Sequence, residues 1–71
     1  MAVEIGRGLR HARLSARLTG DQVAAAASLP PEVYGRMERG KLLPTLPTLI
    51  LLCRVLDIRP EWLRRGAPPS E

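Results

Sequence analysis

The stretch LTGDQVAAAASLPPEVYGRMERGK, residues 18–41, contains two helix starts about a dozen residues apart. Thr19 to Gln22 matches a capping box, in which the Thr hydroxyl accepts the third backbone N–H and the Gln side chain reaches back to Thr19. Asp21 in the first turn suits the positive end of the helix dipole. Val23 and four alanines at 24–27 then predict a helix of about two turns that Ser28 ends. Its small side chains permit close approach of another helix. The next start is Pro31, which fits the first helical position because its missing N–H has no intrahelical partner there. Val33 or Tyr34 together with Met37 gives the inward stripe, and Gly40 is a suitable stop.

Working outward, EIGRGLRHARLSAR at 4–17 places Ile5, Leu9 and Ala12 at helical spacing, with Arg7, Arg10, His11, Arg13 and Arg17 largely on the other sides. Gly6 and Gly8 each remove about 1 kcal/mol of helix propensity, so the first turns are expected to fray. Downstream, Pro44 breaks the loop, Thr45 can cap, and Pro47 is tolerated in a first turn. A further helix is expected over about 46–56, with Asp57 accepting a left-handed turn. Pro60 then opens a short fifth helix carrying Trp62 and Leu63 and stopped at Gly66. The reading is all-α, five short helices around one core: one domain over 1–66 and a disordered tail over 67–71.

A chain of 71 residues buries only about 60% of the surface its unfolded form exposes, so association with a partner is a common remedy. Net charge is +4, and ten of the eleven basic residues are Arg, which favours an anionic partner, nucleic acid first. The plainer account is genome composition and solubility. The single Cys53 excludes an internal disulfide and a multi-cysteine zinc site, and its setting in LILLCRVL reads as a core thiol. His11 stands alone. No nucleophile–base pair, metal cluster or phosphate-cradling glycine loop points to an enzyme, and no cofactor or small-molecule substrate is indicated. The start MAVEIGRG lacks the apolar run of a signal peptide, and residues 46–56 fall short of the roughly 20 needed to span a membrane. A cytoplasmic protein is expected.

Two helices joined by a tight turn describe a helix-turn-helix. From Ile5 to about Leu63 the chain resembles the Cro/repressor (XRE-type) helix-turn-helix family, with its lambda-repressor-like fold. The matching parts are Ile5, Leu9 and Arg13; LTGDQVAAAASL at 18–29; and VYGRMERGKLLPTLPTLILLCRVLDI at 33–58. The resemblance implies double-stranded DNA as partner. It implies a salt bridge between Arg13 and Glu38, whose loss would cost roughly 3 kcal/mol if the pair is partly buried. It places backbone contacts at Thr19 and Gly20, base reading at Pro31, Glu32, Val33 and Arg36, and phosphate contacts at Arg39 and Lys41. The basic first helix adds Arg10 and Arg13 to the phosphate set.

Several positions depart from the family pattern. Gly20 stands where Gln often donates to a phosphate. Pro30, at the N-cap of the reading helix, offers no oxygen, which costs about 1 kcal/mol unless Glu32 folds back onto the free N–H groups. Glu32 can accept from a cytosine amino group but repels phosphate, whereas Arg36 can make the bidentate contact to guanine. Pro31 and Val33 can meet only methyl groups or sugars. Leu42, Leu43 and Leu51 replace polar residues, and Leu49, Ile50, Leu51, Leu52 and Val55 cannot all face one small core. Leu42, Leu43, Ile50, Leu51 and Trp62 are therefore expected to form an interface, most simply that of a two-fold homodimer. The alternative is that these residues merely cover a thin core. Two functions follow: a transcriptional regulator binding operator DNA as a homodimer, or a protein-interaction module (antirepressor or adaptor) on the same fold.

Overall fold

The computed structural model describes residues 2–59. Among them are four helices: α1 Ala2–Ser15, α2 Gly20–Ala26, α3 Pro31–Glu38 and α4 Leu46–Leu56. The fifth helix expected after Pro60, with Trp62, lies outside the described residues, as does the tail. α3 packs against α1 and α2, and α4 closes the opposite side of the core against the same two helices. Leu9, Val23, Tyr34 and Leu52, one from each helix, are the largest fully buried side chains. Ile5, Ala12, Ala24, Ala27, Met37, Cys53 and Leu56 complete the core.

Both α2 and α4 start on side-chain caps. Thr19 Oγ1 accepts the N–H of Gln22 at 3.1 Å, while the N–H of Thr19 donates to Gln22 Oε1 at 2.8 Å, closing the capping box. Thr45 Oγ1 accepts the N–H of Thr48 at 3.4 Å. α3 starts on Pro30 with no side-chain cap, so Glu32 does not fold back onto its first turn.

All four helices end the same way. The N–H of Leu18 reaches the carbonyl of Arg13 at 3.1 Å, that of Leu29 reaches Ala24 at 2.8 Å, that of Lys41 reaches Arg36 at 2.9 Å and that of Ile58 reaches Cys53 at 3.0 Å. Each six-to-one bond is the signature of a Schellman motif, which needs one residue in the left-handed conformation. Those residues are Arg17 (φ 60°), Ser28 (φ 57°), Gly40 (φ 74°) and Asp57 (φ 57°).

α1 corrects the sequence expectation at both ends. It spans Ala2–Ser15 rather than 4–17, because Arg17 takes the left-handed turn. Its first turns are built into the fold rather than loosely attached: Gly6 and Gly8 are both buried. A Cβ on Gly6 would lie 2.5 Å from the carbonyl oxygens of Met37 and Glu38. Glycine lets α1 meet the end of α3 backbone to backbone, and that contact offsets the propensity cost.

Candidate nucleic-acid interface

At about 100° per residue, Tyr34 and Met37 point α3 into the core, and Glu32, Gly35, Arg36 and Arg39 share the opposite side within about 100° of arc. Glu32, Arg36 and Arg39 are exposed and Gly35 is half-buried. Arg36 Nη2 lies 3.8 Å from Glu32 Oε2, one turn away, with both side chains largely in solvent. A pair this exposed contributes little to stability. It can therefore be opened by a ligand at small cost. Pro31 is exposed at the helix start, whereas Val33, expected among the base-reading positions, is partly buried against the core. The sequence could not decide between Val33 and Tyr34 for the inward stripe; the structure buries Tyr34 and leaves Val33 at its flank.

The far end of α3 is fixed by charge. Arg13 Nε donates to Glu38 Oε2 at 2.5 Å and its Nη2 donates to Oε1 at 3.1 Å, a fork-to-fork pair with side chains only 17% and 12% exposed. The Arg13 Nη1 donates to the carbonyl oxygen of Leu18 at 3.1 Å. The hydroxyl of Tyr34 donates to Glu38 Oε2 at 2.5 Å. One carboxylate thus gathers three donors from α1 and α3, and Arg13 extends the network to the turn before α2. The hydrogen bond to Glu38 raises the Arg13 pKa further above its ordinary value. Burial, then the bond to Glu38, holds the Tyr34 phenol well above its ordinary 10.0.

Around this frame, Arg10, Thr19 and Lys41 are exposed, and Gly20 sits beside the Tyr34 ring, 3.8 Å from where its Cβ would be. The guanidinium of Arg39 folds back over Gly35. The sequence pattern marks Tyr34 only as core and assigns Gly35 no role. The signals are present as spacing, since Tyr34 and Glu38 are four residues apart on α3, and Gly35 and its C-cap Arg39 are likewise four apart. Among the described residues no group of His, Cys, Asp and Glu could hold a metal ion, and no helix is long and apolar enough to cross a membrane. His11 is exposed and Cys53 is buried.

Several apolar side chains of α4 and of the loop before it are exposed. Leu43 is 51% exposed, Leu46 69%, Ile50 43%, and Leu42 and Leu51 37% each. Of the surplus apolar residues of α4, Leu52 is buried and Leu49 and Val55 are partly so. The expectation that α4 has more apolar side chains than the core can take is met for Ile50 and Leu51 among the described residues. Leu46, not singled out from the sequence, is the most exposed of the group.

A capped helix, a tight turn and a second helix with a solvent-facing polar side, braced by a third, constitute the helix-turn-helix of DNA-binding transcription regulators. The helix-turn-helix family model matches residues 9–63, and the chain belongs to that family, of the Cro/repressor (XRE) type. Among solved structures it is similar to the restriction-modification controller protein C.AhdI from Aeromonas hydrophila, with 31% sequence identity and a TM-score of 0.81. That match covers 87% of this chain and 94% of the other. No curated protein sequence matches the chain.

Proposed function

We propose that the protein is a non-enzymatic regulator that binds operator DNA as a homodimer, with α3 of each copy entering successive major grooves about one helical turn apart. The observation that carries this is the outward side of α3. Glu32, Arg36 and Arg39 have no part in the core, yet the helix bearing them is fixed to α1 by the Arg13–Glu38–Tyr34 network. Arg36 reads guanine, Glu32 accepts from a cytosine amino group, and Pro31 with the outer edge of Val33 meets methyl groups or sugars. Arg10, Thr19, the backbone at Gly20 and Lys41 hold phosphates, which position the helix without reading sequence, while Arg13, engaged by Glu38 and the Leu18 carbonyl, braces α3 instead of reaching a phosphate. Likeness to a restriction-modification controller supports regulation over chemistry on a small substrate. Exposed Leu42, Leu43, Ile50 and Leu51 supply the dimer face, with Leu46 beside them.

The same apolar face supports a second reading, an adaptor or antirepressor that binds another protein and little DNA. Replacing Arg36→Ala together with Arg39→Ala separates the two. For an operator-binding regulator, binding to fragments of its own promoter region falls by more than tenfold, since one guanidinium contact alone is worth about 1–3 kcal/mol. Unchanged regulation by the double variant in cells points instead to the adaptor.

A further inference from the structure

Glycine inside a helix costs about 1 kcal/mol relative to alanine, so each such glycine calls for a reason. For Gly6 the reason is the carbonyls of α3, and for Gly40 a positive φ. Gly35 has neither. It lies in the middle of an eight-residue helix, on its outward side, with a negative φ. A Cβ built there meets nothing of the core. The three nearest atoms all belong to one guanidinium: Arg39 Nη1 at 3.2 Å, Cζ at 3.9 Å and Nη2 at 4.0 Å.

We propose that Gly35 is a positioning residue for DNA binding: its bare backbone seats the Arg39 guanidinium across the outward side of α3, next to Arg36, so that both cations enter the groove together. The inference rests on the DNA-binding reading above and deepens it. Arg39 directly follows α3, and like other long side chains at a helix end it leans back over the preceding turn, where Gly35 leaves room for its guanidinium. Folded back over Gly35, it lies on the same outward side of α3 as Glu32 and Arg36. Glu32 is 3.8 Å from Arg36 and balances only one of the two charges. The remaining positive charge matches a phosphate oxygen or the paired acceptors on the edge of a guanine. An alanine at 35 would improve the helix and crowd the guanidinium, pushing Arg39 Nη1 off its seat by a few tenths of an ångström.

The test uses the full chain and a 30-base-pair duplex enriched by the wild-type protein from a randomised pool. Gly35→Ala, Arg39→Ala and the double variant are compared in melting temperature and in affinity. Gly35→Ala is expected to melt at the same temperature as wild type or higher, yet to bind about tenfold more weakly, the measure of one good guanidinium contact. The double variant is expected to bind no more weakly than Arg39→Ala alone, because both changes remove the same contact. Wild-type affinity for Gly35→Ala, a lowered melting temperature, or losses that add in the double variant would each overturn the inference while wild-type binding stands. If the wild-type protein enriches no duplex and binds none at low salt, the DNA-binding reading itself fails, and this inference with it.

Discussion

At the scale of single residues, the Glu38 carboxylate and its three donors tie α3 to α1. Tyr34→Phe removes one of them and is expected to cost about 1.5–3 kcal/mol in urea or thermal unfolding, since a hydrogen bond to a charged group is worth about that. The same variant has a pH signature. Burial and the bond to Glu38 raise the Tyr34 pKa above its ordinary 10.0 in the folded protein. Above pH 10 the unfolded chain loses the phenolic proton while the folded chain keeps it. The unfolded state then binds fewer protons, so stability falls as pH rises, by up to about 1.4 kcal/mol per pH unit for this group. Below pH 10 the contribution is complete. Unfolding measured from pH 8 to 11 should show this alkaline loss in wild type and a shallower one in Tyr34→Phe; parallel curves would remove the phenol from the network. Tyr34 is the only tyrosine, so no other phenol contributes. The Arg13–Glu38 pair could be anticipated only through the family resemblance, because two charges 25 residues apart carry no local signal of contact. The Tyr34 hydroxyl was within reach of sequence reasoning, four residues before Glu38, but it acts on the carboxylate only because burial of the ring aims it there.

At the scale of elements, helix starts were legible because capping is local chemistry: Thr19, Gln22 and Thr45 do in the structure what their spacing implies. The start of α1 was not, because the propensity lost at Gly6 is recovered in contact with α3, which no local pattern contains. The helix ends were legible at Gly40 and Asp57 but not at Arg17. Arg17 has neither the freedom of glycine nor the short polar side chain that eases Asp into the left-handed region. Arg17→Gly is therefore expected to stabilise the protein by about 0.5–1 kcal/mol, and Ser28→Gly by a similar or smaller amount. An upward shift in melting temperature checks both; a downward shift for Arg17→Gly would mean that its side chain supports the turn through contacts of its own. α3 has the weakest start, with Pro30 giving no side-chain cap. Its position depends more on packing against α1 and α2 than on its own propensity, which suits a helix whose outer side is kept for a ligand.

At the scale of the whole molecule, two surfaces divide the labour proposed for the protein: the polar side of α3 and the apolar face of Leu42, Leu43, Leu46, Ile50 and Leu51. The sequence showed that α4 holds more leucine than a small core accepts, but not which leucines face outward, because periodicity fails on a helix apolar nearly all round. If that face joins two copies, Ile50→Glu with Leu51→Glu should give a folded monomer in sedimentation and cut affinity for a two-half-site operator far more than for a single half-site. A double variant as oligomeric as wild type would locate the dimer elsewhere. Whether α3 reads DNA sequence is decided by titrating the purified protein against genomic fragments, its own promoter region among them, at two salt concentrations. A sequence-reading α3 gives tight binding to a few fragments that persists through a severalfold rise in salt. Equal, weak binding to every fragment, lost as salt rises, would contradict it by showing that phosphate contacts alone hold the DNA.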